Sequence, residues 1–328
     1  MSEFLSDYGL FLAELATIIA VLLVIVAAIA AAARRGGDRE GLEVQHLNRR
    51  FEESANVLKR VMHGKQRFRK EAKERRKEKK REERARAKGE PMRPRLFVLD
   101  FKGDIRATAT ASLREEVSAV LAAAADGDEV LVRLENSGGT VHEHGLAASQ
   151  LLRIKQRGLK LTVAVDKVAA SGGYLMAAVA DRIVAAPFAI IGSIGVLAQL
   201  PNFHRWLDEK GIDYELLTAG DYKRTLTLFG KNTDEGRRKL QEEIEDVHAL
   251  FKQQIVQHRP QVDIERVSTG EHWYGVRALE LDLVDEIRTS DDLLRDAARE
   301  RDLYLVRYRR RKAFAERLLG GVETRLLG

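Results

Sequence analysis

The chain from about residue 94 onward is predicted to be an α/β domain, on three observations. Short aliphatic segments alternate with longer helical ones. The aliphatic segments are apolar nearly throughout, as strands buried inside a fold are. Glycine-rich turns join the end of a strand to the start of a helix at two places. Repeated strand–helix units with buried strands argue for this class.

Leu96–Phe101 opens the domain as a strand, after Pro94 has ended what precedes it. Ser112–Ala124, rich in Ala, Leu and Glu, reads as a helix. Glu129–Leu134 is a mostly apolar strand, Val141–Gln156 a helix and Leu161–Val165 a strand. Gly172–Ala180 is a short apolar helix, Arg182–Ala185 a strand, and Ile190–Val196 a glycine-punctuated turn or strand. Trp206–Lys210 is helical and Glu215–Thr218 is expected to be a strand. Glu235–His258, Ile264–Val267 and Asp291–Arg299 are helices, and Leu303–Arg307 is a late strand.

Apolar residues make up 45% of the chain and charged residues 32%, but the two are segregated. Leu15 to Ala33 is uncharged and mostly aliphatic, about 28 Å of helix and close to one hydrocarbon core. Extended back to residue 9, it is predicted to be an uncleaved transmembrane helix. A signal peptide would need a basic start, and the first eight residues hold Glu3 and Asp7 and no base. Residues 65–88 carry 14 Lys or Arg against 5 Asp or Glu, so the +6 of the whole chain turns to −3 once they are set aside. The high pI therefore belongs to a connector, read as helical over 38–90 and polar nearly all round. Val44, Leu47, Phe51, Ala55, Leu58 and Met62 give it a thin apolar stripe. Its basic clusters suit anionic lipid headgroups. No aromatic residue interrupts 69–90 and no nucleic-acid motif is present, so nucleic acid is not expected as a partner. Gly89, Pro91 and Pro94 end this segment. The division is a tail over 1–8, the membrane helix over 9–33, the connector over 34–93, the folded domain over 94–310 and a basic tail over 311–328. Arg34, Arg35 and the cationic stretch after the helix place the folded domain in the cytoplasm by the positive-inside rule. With no cysteine, thiolate nucleophiles, thiolate zinc sites and disulfides are excluded.

Val168-Ala169-Ala170-Ser171-Gly172-Gly173-Tyr174 sits between a strand and an apolar helix. A serine at such a corner is exposed, and glycines beside it admit a substrate carbonyl; a nucleophile needs both. The competing reading is an ordinary serine cap before a glycine turn. Glu135-Asn136-Ser137-Gly138-Gly139 also follows a buried strand and opens a helix. The two turns could face each other across adjacent strands, with the Gly138 N–H as an oxyanion donor. Among eight histidines, His142 and His144 lie nearest this turn. They read as solvent-facing helix residues, with a Ser–His pair as the alternative. They also resemble an H-x-H metal pair, but nothing convincingly placed completes it, so neither a metal nor a cofactor is expected. Lys223, after the expected strand Glu215–Thr218, is the better base, provided that it loses solvent. Taken by itself it is an ordinary loop lysine.

Asp166 through Tyr174, Ala186-Pro187, Gly192-Ser193-Ile194-Gly195-Val196, Gly220-Asp221-Tyr222-Lys223 and Glu271-His272-Trp273-Tyr274-Gly275 together resemble the signal peptide peptidase A family, and within it the SohB branch of inner-membrane proteases. The resemblance covers the apolar N-terminus, the connector and the domain to about residue 308. It implies a fold like that of Clp protease and crotonase and a Ser–Lys dyad, with Ser171 as nucleophile and Lys223 as base. Ser193 would orient the lysine ammonium, and the N–H groups of Gly138 and Gly172 would form the oxyanion hole. One departure stands out: Asn136-Ser137 replaces the usual Ser-Pro, which softens the oxyanion loop. The resemblance further implies a polypeptide substrate with extended apolar segments, such as signal-peptide remnants or damaged membrane proteins, and a homo-oligomer. The other classes kept open are a crotonase-type acyl-CoA enzyme and a membrane scaffold without catalysis.

Overall fold

Successive residues of the central strands feed two different cores, which is why those strands read as continuous apolar runs. On β2 (Arg95–Lys102), Phe97, Leu99 and Phe101 point to one side and Leu96 and Val98 to the other. In the computed structural model, which describes residues 9, 11, 13–24, 40–62, 73, 74, 77, 81 and 93–310, β2 is central to a seven-stranded sheet. The other members are β1 (Gly41–His46), β3 (Glu129–Glu135), β4 (Lys160–Val165), β6 (Arg182–Ala185), β9 (Glu286–Ile287) and β10 (Asp302–Arg309). The order is β1-β10-β2-β3-β4-β6-β9, and pairing is parallel from β10 to β9.

One face is covered by helices α2 (Thr110–Ala123), α3 (Val141–Gln156) and α4 (Gly172–Ala178), through Leu113, Val117, Leu151, Ile154 and Met176. The other face buries Leu131, Leu303 and Leu305 against Leu47 and Leu294. A second sheet of three strands, β5 (Val168–Ala170), β7 (Ile190–Gly192) and β8 (His272–Tyr274), stands at the carboxyl end of β3, to which the bridge Asn136↔Ala169 ties it. β5 and β7 are parallel, β7 and β8 antiparallel.

Two sequence expectations change. Residues 41–46, expected in the helical connector, form β1, and the helix α1 begins only at Leu47 and runs to Met62. Pairing with β10 decides this, and local spacing does not reveal a partner some 250 residues away. Glu215–Thr218 is not a strand; it lies in an exposed irregular stretch without a neighbouring strand to take its backbone hydrogen bonds. Ile190–Val196, expected as a turn or strand, is strand over its first three residues and irregular after them. The predicted membrane helix lies partly outside the described residues. Residues 9, 11 and 13–24 are helical and exposed, and among the described residues no helix is long and apolar enough to cross a membrane. The 1–8 tail, most of 63–92 and the 311–328 tail also lie outside them.

Glu116 on α2 is buried and accepts the Tyr308 N–H at 2.7 Å. Burial, with the nearby Asp100 carboxylate, pushes its carboxyl up from 4.5 to about 7, against the pull of the Tyr308 N–H and Arg307. The folded state thus holds this proton more tightly than the unfolded chain. The stability it gives is complete below about 4.5 and is lost as pH rises through about 7. Glu116→Gln keeps an acceptor for Tyr308 and removes this slope. Urea unfolding at about pH 5 and about pH 8 should show a drop smaller by about 3 kcal/mol in the variant. An unchanged drop would assign the pH dependence to other groups.

Candidate active site

Three backbone segments run side by side where β3, β5 and β7 end. Asn136 pairs with Ala169, and Ala169 with Ile191. The Asn136 N–H donates to the Val168 carbonyl at 2.9 Å, the Ala170 N–H to the Asn136 carbonyl at 3.0 Å, and the Ser171 N–H to the Gly192 carbonyl at 2.7 Å. The turns that follow, beginning at Ser137, Ser171 and Ser193, are therefore gathered at one end of the molecule. The two glycine turns expected to face each other do so.

Ser171 is the corner residue between β5 and α4, with φ 51° and ψ −122°. A side chain in this left-handed region costs about 1–3 kcal/mol, held by the surrounding structure. The holding is visible: the Ser171 N–H is tied to Gly192, and α4 is anchored by the buried Tyr174 hydroxyl, which donates to the Leu283 carbonyl at 2.9 Å. Ser171 is half-buried, and its hydroxyl does not cap the helix it precedes. The next residue, Gly172, offers the first N–H of α4, which has no intrahelical partner.

Gly138 lies against this corner. Its φ is +91°, and a Cβ there would stand 2.7 Å from Ser171 Cβ and 2.9 Å from Gly172 N. Only glycine lets the first turn come this close to the second. The Gly138 N–H, however, donates to Asn136 Oδ1 at 2.9 Å. Ser193 has φ 53° and is half-buried, with its N–H on the Glu271 carbonyl at 2.7 Å. Gly192 before it packs on Trp273, where a Cβ would come within 2.8 Å of the ring. The structure thus brings Ser171, Gly172, Gly138 and Ser193 together. It does not bring Lys223 to them. Lys223 sits in the exposed irregular stretch 211–233, and among the described residues its ammonium makes no hydrogen bond or ion pair.

The family model described as "Peptidase family S49 N-terminal" matches residues 3–151, and "Peptidase family S49" matches residues 153–304. A "Probable protease SohB" of Haemophilus influenzae is 48% identical over 326 residues, which is 97% of this chain and 92% of the relative. Another of the same description, from Buchnera aphidicola subsp. Acyrthosiphon pisum, is 57% identical over 232 residues, 71% of this chain and 69% of the relative.

The chain belongs to peptidase family S49. Its chemistry is that of a peptidase, and its substrate is polypeptide. Within the S49 match fall Ser171, Gly172, Ser193 and Lys223; Gly138 falls within the N-terminal one.

Two residues beside this candidate site are placed otherwise than the sequence suggests: His144, weighed there as a solvent-facing residue or a Ser–His partner, and Asn136, noted only as a departure in the oxyanion loop. His144, expected to face solvent, is fully buried (0% exposed) under the Ser171 turn. A Cβ on Gly172 would come within 2.5 Å of its ring. His142, two residues earlier, is exposed as expected. The difference follows from helical geometry, since positions two apart lie on nearly opposite faces of α3. Asn136, 1% exposed, holds the Gly138 N–H. An Asn followed two residues on by Gly is a signal for this side-chain-to-backbone turn, readable in principle from the sequence.

Proposed function

We propose that this S49 peptidase is a membrane-anchored serine endopeptidase that uses a Ser–Lys dyad. Its substrates are extended apolar segments, such as signal-peptide remnants or stretches of membrane and exported proteins. The observation that carries the reading is Ser171 itself: a serine held at φ 51° on a strand-to-helix corner, with a second glycine turn pressed against it. In this reading Ser171 Oγ attacks the peptide carbonyl while neutral Lys223 takes its proton. The ammonium then protonates the leaving amine, and water repeats the cycle on the acyl-enzyme. Ser193 orients the lysine, and the Gly138 and Gly172 N–H groups stabilise the oxyanion. The α/β architecture is read as the Clp protease/crotonase type. Ile105, 71% exposed and backed onto Gly139, and the exposed Val141 favour an apolar substrate beside the turn.

Lys223 is remote from water only if something covers it. Its stretch also exposes Leu217 (92%), Tyr222 and, upstream, Leu197 and Trp206. These exposed apolar side chains support a homo-oligomer in which a neighbouring copy covers the stretch and Lys223 meets a Ser171. The apolar run 15–33 and the basic connector support single-pass anchoring in a bacterial-type inner membrane, with lipid contact and the catalytic domain in the cytoplasm.

The test is active-site capture on the full-length protein. A fluorophosphonate, with peptide-substrate titration alongside because Ser–Lys enzymes react slowly with such probes, should label Ser171 in proportion to lost activity. Loss of activity with the label on another serine would remove Ser171. Alkaline carbonate should leave the protein in the membrane; its release would end the anchoring claim.

A further inference from the structure

The helix α1 is seated in the core by its first turn. Leu47, 3% exposed, packs with Leu294 and Leu303. The Asn48 side chain donates to the Ala298 and Arg301 carbonyls and accepts the Leu303 N–H. The apolar face that begins at Leu47 does not end there. At about 100° per residue, Phe51, Leu58, Val61 and Met62 fall within about 60° of Leu47, and Val57 within about 80°. Exposure climbs along that face, from 38% at Phe51 to 65% at Leu58 and 72% at Met62, with Val61 at 83%. Arg49, Glu52, Asn56 and Arg60 lie on the opposite side of the helix. The core thus takes the start of an amphipathic helix, and the rest of its apolar face runs on into the open.

The sequence around α1 identifies what covers that face. Residues 65–88 follow it with 14 Lys or Arg against 5 Asp or Glu, and α1 itself holds four basic residues and two acidic ones. A second copy laid on the face would bring two such cationic stretches together and be repelled. The segment after the helix offers no cover of its own, since Phe68 and Met92 are the only large apolar residues in 63–92. An anionic lipid surface satisfies both the apolar face and the positive charge. Residues 34–40 join the apolar run 15–33 to β1, so an anchored chain is on a short tether, at most about 25 Å.

We propose that α1 lies on the anionic leaflet of a membrane, with Phe51, Leu58, Val61 and Met62 below the headgroups and Arg50 and Lys59 beside them at headgroup level. This gives the domain a second hold on the membrane and fixes which of its sides faces lipid. The inference deepens the reading of the chain as membrane-anchored and rests on it for the nearness of the bilayer.

The chain has no cysteine, so a single introduced cysteine can be labelled without background. Val61 and Glu52 stand about 180° apart on α1. Both are exposed, so Val61→Cys and Glu52→Cys should leave folding and peptidase turnover unchanged. Each full-length variant is labelled with nitrobenzoxadiazole and reconstituted into vesicles of phosphatidylcholine mixed equally with phosphatidylglycerol, part of the lipid carrying a nitroxide on its acyl chain. The Val61 label should be quenched and shifted to the blue, and the Glu52 label should be neither. In phosphatidylcholine alone the ratio of docked to free α1 should drop about fivefold for each basic residue at the surface, the worth of one Lys or Arg there. An unchanged ratio would remove anionic lipid as the partner. A Val61 label as unquenched as the Glu52 label overturns the inference, and so do two labels quenched alike, which would immerse the helix on every side. A Val61 label that is blue-shifted but unquenched, and reverts as the protein is diluted with lipid, would make a second copy the cover instead. Leu22→Cys, within the apolar run, reports on the anchor separately. If it escapes quenching while Val61 is quenched, the anchor reading fails and the docking of α1 stands. If it alone is quenched, the anchor stands and the inference fails.

Discussion

Ser171→Ala is expected to lose peptidase turnover by about 10⁴–10⁶-fold while the domain stays folded. The loss is large because a nucleophile has no substitute: the oxyanion donors and substrate contacts alone retain only a small residual rate over water. The fold is spared for reasons visible at the corner. The Ser171 hydroxyl caps nothing, so removing it leaves no orphaned partner in the helix. What holds the corner is backbone, namely the Ser171 N–H on Gly192 and the glycine contact from Gly138. Stability should therefore change by less than about 0.5 kcal/mol. Ser171→Gly sharpens the test. Glycine adopts φ 51° without the side-chain penalty, so this variant should be as inactive as Ser171→Ala and more stable than it by about 1 kcal/mol. Turnover measured with an apolar peptide and thermal unfolding of the three proteins give both numbers. Near-wild-type turnover in either variant would take Ser171 out of the chemistry. A glycine variant that is active and less stable would remove the strained-corner argument as well.

The parts of this molecule legible in the sequence are those fixed by local pattern. Leu96–Phe101, Glu129–Leu134 and Leu161–Val165 are buried on both faces, and their unbroken apolar runs say so. Ser171 and Gly138 were legible because close approach of two turns demands glycine, and Gly138-Gly139 and Gly172-Gly173 follow strands at equivalent places. What was not legible depends on partners distant in the chain. β5 and β8 are three residues each, too short to carry a period, and exist because β7 lies between them. β1 is a strand only because β10 offers its edge. His144 and His142 look alike in sequence, yet one is sealed beneath Gly172 and the other is in solvent. Ser193 had no local signal for a role; its place beside the Ser171 segment follows from β5–β7 pairing. The error at Glu215–Thr218 has the same root: an apolar segment of plausible length was given a strand, but no strand receives it.

Lys223→Arg is expected to be as inactive as Lys223→Ala, with a loss of about 10²–10⁴-fold in kcat, the range for a general base. Arginine keeps the charge, the length and the capacity to donate. It cannot give up its proton, so it fails in the one respect that matters to a base. If Lys223 served only to attract substrate or to hold the loop, arginine would restore most of the activity and alanine would not. Lys223 is exposed in the single chain and must lose solvent before it can act. In the proposed reading a second copy, laid over the exposed Leu217, Tyr222, Leu197 and Trp206, removes the water. This makes a separate demand. Ser171→Ala and Lys223→Ala, each inactive alone, should regain activity when co-expressed, because a mixed assembly can join the intact serine of one copy to the intact lysine of another. Leu217→Asp should break the assembly and the activity together, as read by sedimentation and by peptide turnover in detergent. The exposed His142, paired only loosely with Glu143 at 3.9 Å, should be replaceable by alanine with little effect. Substantial turnover in Lys223→Arg would overturn the dyad. Failure of the co-expressed pair, with Lys223→Arg inactive, would instead place both residues in one copy, brought together by closure of the 211–233 stretch over its own Ser171.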